Sequence, residues 1–288
     1  MKKQKIYSLA VAICMTATVN AQTGGISSKM LGEIQKQNKM TPAENAIANA
    51  IAANSIDNLA QNRNNAAELD TYFSIETPKQ TITDQKSSGR CWMFSGMNVL
   101  RANFAKRTDS LRVEFSQAYL FFYDQLEKAN LFLQGVIDTG KKPIDDQRVQ
   151  FFFKNPINDG GTFCGVADLT EKYGLVPKQV MPESYSSDNT SKMARLISSR
   201  LREDGLILRK MVAEGKKAAD IEKAKTEMLA TVYRMLALTI GEPPTQFTYA
   251  HRNKDGKAVG EPKTYTPQEF FKEMVGDKLN STFSMVRN

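Results

Sequence analysis

The sequence has 288 residues, 41% hydrophobic and 24% charged, with 17 Gly and 10 Pro. This is a globular composition that excludes collagen-like, disordered and polytopic membrane classes and leaves room for one or two domains. The formal charge is +8, but Lys2, Lys3 and Lys5 supply part of it, and without them it falls to +5, a weak argument for a nucleic-acid partner. One His and three Cys are too few for a His/Cys metal centre, since structural zinc takes four such ligands and catalytic zinc three. No metal site and no cofactor are expected.

Residues 1–21 read as a secretory signal peptide. Lys2 to Lys5 form a basic start, Ile6 to Met15 an apolar stretch too short to span a bilayer, and Val19-Asn20-Ala21 a small-residue cleavage site. Cys14 follows Ile13, which is too bulky for lipoprotein processing, so the expected product is periplasmic or secreted, begins at Gln22 and has no membrane anchor. It keeps Cys91 and Cys164, and two cysteines cannot make a disulfide framework.

Residues 22 to about 41 are polar and Gly/Ser/Lys-rich and are expected to be a mobile lead-in. Ile47, Ile51 and Leu59 predict one or two short helices within 42–69. Residues 72–75 are β-prone and end at Pro78. Met93, Met97, Leu100 and Phe104 share a stripe, which predicts a buried helix over 91–105. Ser116 caps a second helix to about Leu133, with Tyr119, Leu120, Tyr123 and Leu126 on its apolar face. A helix from Phe163 to Tyr173 stops at Gly174. Two long amphipathic helices follow, 192–212 and 217–239. Phe247 to Tyr249 and the Asn253-Lys254-Asp255-Gly256 turn predict a β-hairpin, and Pro267 opens a last helix to Val275.

The informative run is Asp84-Gln85-Lys86-Ser87-Ser88-Gly89-Arg90-Cys91-Trp92-Met93-Phe94-Ser95. A thiol at a helix start meets free N–H groups and the positive end of the helix dipole, which favour the thiolate. Attack on a carbonyl then needs two donors for the oxyanion, and Gln85 with the Cys91 N–H could supply them. Taken alone, a Cys on an apolar helix is more often a buried core thiol.

Gln at minus six, Gly at minus two and Trp at plus one match the papain-type pattern, with Ser88 in place of its first Cys and Arg90 in place of its Ser. The Ser-Gly-Arg-Cys-Trp form resembles the bleomycin hydrolase and aminopeptidase C family. So do Leu59 to Asn62, Phe73 to Glu76, Phe115 to Leu120, Asp159-Gly160-Gly161, Glu171 to Lys178 and Pro182 to Ser184, in the family's order, so the likeness runs from about Asn45 to Asn288. It implies an α+β, papain-like cysteine peptidase fold and a thiol aminopeptidase acting on peptides, homo-oligomeric and hexameric in the family. Cys91 would be the nucleophile and Gln85 the oxyanion donor. Gly160 and Gly161, with Trp92, would be on the substrate side, the glycines pairing with an extended peptide. Cys164 falls where the family does not require Cys and is expected to be a small core residue.

The chain departs from the family in its base. A cysteine peptidase needs an imidazole and an Asn or Asp to orient it. The sole His, His251, sits in a polar run expected to be a surface turn, and no Asn-Ser-Trp box is present because Trp92 is the only Trp. The expected organisation is a signal peptide at 1–21, a lead-in and helical extension at 22–67, the helical left lobe with the nucleophile helix at 68–190, and a helical insertion with the hairpin at 191–288, most of the β-barrel lobe being missing. Two further readings stay open: a catalytically silent binding or assembly protein, and a basic nucleic-acid-associated oligomer using Arg195, Arg200, Arg202, Arg209 and Lys210. Gly135 to Lys142 nearly spells a P-loop, but Lys142 replaces the Ser/Thr and Pro143 blocks the helix that must follow.

Overall fold

The computed structural model describes residues 25–62, 64, 72–108, 111–276 and 279. The segment read as a signal peptide lies outside them. The chain divides into two units, residues 1–74 and 75–288.

The first unit carries helices α1 (Ser28–Gln37), α2 (Pro42–Ala53) and α3 (Ile56–Ala60). The expected lead-in is corrected here, because α1 lies inside it. Ser27 accepts a hydrogen bond from the Met30 N–H at 3.2 Å, and Met30, Leu31 and Ile34 give the segment an apolar stripe despite its polar composition. Thr41 and Glu44 form a reciprocal capping box at the start of α2. Ile47, Ala50 and Ile51 of α2 and Ile56 and Leu59 of α3 line an apolar hollow.

The second unit holds α4 (Cys91–Arg107), α5 (Gln117–Asp138), α6 (Gln147–Lys154), α7 (Phe163–Tyr173), the single turn α8 (Tyr185–Asp188), α9 (Thr190–Ala213) and α10 (Ala218–Thr239). Strands β1 (Phe247–Arg252) and β2 (Ala258–Tyr265) and helix α11 (Pro267–Met274) follow. Helix α5 is central. Its Leu120, Phe121, Phe122, Phe132, Leu133 and Val136 are buried, and α4, α6, α7, α9 and α10 all pack on it. The segments read as left lobe and insertion therefore share one core. Residues 72–80 make no strand, so the β-prone piece is corrected to irregular chain with a bend at Ser74 and Ile75. The one sheet among the described residues is the antiparallel hairpin, with Phe247 opposite Tyr265 and an irregularity between Tyr249 and His251.

Local signals fix the boundaries. The Ser116 hydroxyl accepts from the Tyr119 N–H at 3.0 Å and starts α5. Gly174, at φ 78°, ends α7 where a Cβ would lie 2.3 Å from the Pro267 carbonyl carbon, so handedness and close approach both select glycine. The P-loop likeness dissolves into packing. Residues 135–138 belong to α5, and a Cβ on Gly135 would lie 2.3 Å from the Phe152 ring of α6.

Much of the basic stripe on α9 serves the fold. Arg202 donates to the Phe153 carbonyl at 2.8 Å, Arg209 donates to the Thr139 carbonyl at 3.1 Å, and Arg200 pairs with buried Asp204 at 2.9 Å. The first two satisfy carbonyls at or just beyond the C-terminal ends of α6 and α5, where cations are favoured.

Candidate active site

Cys91 is the first residue of α4 and its side chain is exposed. Met93 and Phe94 N–H both donate to the Arg90 carbonyl, at 2.9 and 3.0 Å, which leaves the Cys91 and Trp92 N–H groups ahead of the helical ladder. Residues 81–85 run alongside α4 in the opposite direction. Arg101 donates to the Thr81 carbonyl and Asn98 Nδ2 to Thr83 Oγ1 at 2.8 Å, so Gln85 is delivered to the start of the helix. Thr83, Gln85, Cys91, Phe94, Ser95 and Asn98 line a cleft of about 450 Å³.

The loop between Gln85 and Cys91 closes on itself. Gln85 Nε2 donates to the Ser88 carbonyl at 2.6 Å and Ser88 Oγ donates to the Gln85 carbonyl at 2.7 Å. A carboxamide has two N–H donors, so this anchor leaves one for an oxyanion. Lys86 lies at φ 52°, held there as its N–H donates to Asp84 Oδ1 at 2.8 Å. Hydrogen bonds from Lys86 also hold the Asp84 carboxyl below its ordinary pKa.

Asp159 ties this loop to the rest of the site. Its Oδ2 accepts from the Gly89 N–H at 3.0 Å and from Thr190 Oγ1, and its carbonyl accepts from Trp92 Nε1 at 2.7 Å. A Cβ on Gly89 would lie 2.8 Å from Asp159 Cβ, which is why the residue two before the thiol is glycine. Trp92 is buried beneath Gly161, whose Cβ would fall 2.5 Å from the indole. The expectation of Trp92 on the substrate side is thus corrected: the ring supports the glycine segment from below.

Gly160 and Gly161 are exposed and differ in what they can offer. The Gly160 N–H donates to Asn158 Oδ1 at 2.9 Å, and its carbonyl accepts from Lys128 Nζ at 2.7 Å. Gly161 N–H and C=O bond to none of the described residues, so its backbone is the one open to an extended chain. Lys128 also donates to the Asn158 carbonyl at 2.8 Å, pairs with Asp124 at 2.8 Å and lies 5.6 Å over the Trp92 ring. Burial raises the Asp124 pKa, with Lys128 and Gln125 opposing.

His251 is corrected from a turn residue to a member of β1. Its Nε2 lies 3.0 Å from Glu273 Oε1, and its ring stacks on Phe104 at 6.2 Å. Phe104 stands thirteen residues beyond Cys91 on α4, about 20 Å along the axis at 1.5 Å per residue, so His251 is not brought to the thiol. Cys164 is exposed, not in the core. The buried residues of α7 are Val166, Leu169 and Thr170, and Cys164 lies off that stripe.

Sequence reasoning missed the group that seats the loop. Arg90 is fully buried and its Nη1 donates to both carboxylate oxygens of Glu183, at 3.1 and 2.9 Å. Arg90 Nε donates to Ser88 Oγ at 2.9 Å, and the guanidinium lies 5.0 Å from the centroids of both the Phe94 and Phe121 rings. Arg90 stood out only as a departure in the motif, and nothing in the spacing pointed to a partner 93 residues away.

Known proteins resemble this chain over most of its length. The chain is 40% identical over 245 residues to aminopeptidase C of Lactobacillus delbrueckii subsp. lactis, covering 85% of this chain and 54% of that protein. It is 35% identical over 264 residues to human bleomycin hydrolase, covering 90% and 58%. The crystal structure of PepW from Lactobacillus rhamnosis HN001 superposes with a TM-score of 0.80 at 40% identity, over 89% of this chain and 57% of that one. The chain thus spans little more than half the length of these relatives. The Peptidase C1-like family matches residues 25–288, and with the helix-borne thiol, the upstream glutamine and the glycine segment in place, the chain belongs to that papain-like family.

Proposed function

We propose that the full protein is a cysteine aminopeptidase that removes N-terminal residues from peptides, as the names of the aminopeptidase C relatives suggest. The observation that carries this reading is the exposed Cys91 at the head of α4, sharing a cleft with Gln85. The Cys91 sulfur attacks the carbonyl carbon of the scissile bond, and the carbonyl π electrons move to oxygen. That oxyanion accepts from the free Gln85 Nε2–H and the Cys91 N–H. Collapse expels the peptide amine, which takes up a proton, and water then releases the acyl group from sulfur. Gly161 holds the substrate backbone alongside.

The proton steps need an imidazole, and His251 is turned to Glu273 and Phe104. We assign the base to a part of the full protein outside these 288 residues, so this chain by itself is expected to react with alkylating agents at Cys91 without turning over peptides. The same reading takes the full enzyme as a homo-oligomer, exported through the segment ending at Ala21. In the full-length protein, Cys91→Ser is expected to abolish hydrolysis of aminoacyl fluorogenic amides, and Gln85→Ala to lower kcat by about 10²–10³. Undiminished turnover by Cys91→Ser would sink the assignment.

A further inference from the structure

A second cavity, of about 630 Å³, opens where the hairpin meets the segment leading to Gln85. It is lined by Lys79, Arg101, Arg112, Lys178, Arg252 and Lys254, with Glu114 as its only carboxylate. Glu114 pairs with Lys178 at 2.7 Å, and the other five cations pair with no carboxylate among the described residues. The decisive group is Arg101, which is 3% exposed. Among the described residues its guanidinium donates only to the Thr81 carbonyl and hydroxyl, and its buried Nε, like Gln80 Nε2, finds no partner among them.

A buried cation is normally paired, because leaving water costs several kcal/mol per ion. Here a guanidinium faces a cavity already crowded with positive charge. We propose that this cavity is a binding site for a small oxyanion carrying at least two negative charges, of the phosphate or pyrophosphate class. Arg101 and Arg112, two of the three arginines in the lining, present planar donor forks that suit tetrahedral oxyanions. Arg101 forms the floor, while Arg112, already tethered through its Nη1 to the Lys79 carbonyl, and Lys254 complete the charge. Burial lowers the Arg101 pKa, Glu114 opposes that shift and Arg112 adds to it. The site is separate from the thiol, since Arg101 lies ten residues along α4 from Cys91, about 15 Å.

The test is calorimetric titration of the full chain with inorganic phosphate, pyrophosphate and succinate at fixed ionic strength. Saturable binding with pyrophosphate tightest is expected. Arg112→Gln should weaken it about tenfold or more, Lys254→Gln severalfold, and Glu114→Gln should tighten it. Because Arg101→Gln alters a buried residue and can fail to fold, the rim variants carry the decision. No saturation by pyrophosphate to about 10 mM, binding of succinate alone, or an affinity indifferent to Arg112→Gln overturns the proposal.

Discussion

Replacing Glu183 by Ala tests whether the Arg90 pair seats the loop ahead of Cys91. Arg90 is wholly buried and Glu183 nearly so, with side-chain exposures of 0% and 12%. The substitution removes two charge-assisted bonds and strands a guanidinium whose remaining partners among the described residues are Ser88 Oγ and two ring faces. Breaking one side of a buried pair costs about 3–5 kcal/mol. Water can enter on the partly open Glu183 side, which places the loss near the lower end, about 3 kcal/mol. Glu183→Gln keeps one good acceptor and should lose about 1–2 kcal/mol. Arg90→Met combined with Glu183→Leu removes both charges and should cost less than Glu183→Ala alone. Trp92, the only Trp, is two residues from Arg90, so its fluorescence during urea unfolding reports the region directly. A Glu183→Ala protein within 1 kcal/mol of the parent, or a double variant equal to the sum of the two singles, would refute the reasoning.

Iodoacetamide treatment of the folded protein, followed by peptide mapping, should find both Cys91 and Cys164 modified, since both are exposed; protection of Cys164 would contradict its place on α7. Gly161→Ala forces a methyl to within 2.5 Å of the Trp92 ring and should destabilise by about 1–3 kcal/mol with a shift in Trp92 emission, whereas an unshifted spectrum would show the two are not packed. Burial raises the Glu273 pKa, but bonds from Lys263, Tyr265 and His251 outweigh it and leave the value below the ordinary 4.5. Its contribution to holding the hairpin on α11 is therefore present above pH 4.5 and lost as pH falls through the folded value. Glu273→Gln should flatten acid unfolding in that window, and an unchanged acid limb would argue against it. N-terminal sequencing of the cell-associated protein should begin at Gln22, and an intact Met1 in a cytosolic fraction would contradict export.

The helices were legible wherever one signal dominated. Ser116, Gly174 and Pro267 stand where their caps are used, because capping depends on a few neighbouring residues. The helix 28–37 was obscured by charge and glycine around it, although Ser27 and its apolar stripe specify it. Helix α6 was unread because its eight residues are too few for a period to emerge. The turn expectation for His251 failed through register: the true turn begins at Asn253, whose side chain accepts from the Asp255 and Lys257 N–H groups, each at 3.0 Å, so β1 runs through His251 to Arg252.

The site divides along the same line. Gln85, Gly89, Cys91 and Trp92 are close in sequence, and a spacing pattern could hold them together. Asp159, Lys128 and Glu183 act across distances of 30 to 93 residues, by filling valences that the loop and the glycine segment leave open. A buried N–H or guanidinium must find an acceptor, but the sequence does not say which carboxylate the fold will bring. This is also why His251 had to be judged in three dimensions. Its separation of 160 residues from Cys91 suits a papain relative, and only the stacking on Phe104 shows that it meets α4 at the far end. Under the proposed assignment, Cys91, Gln85 and Gly161 share one unit and His251 does not reach them, so alkylation of Cys91 and peptide turnover are expected to be separable.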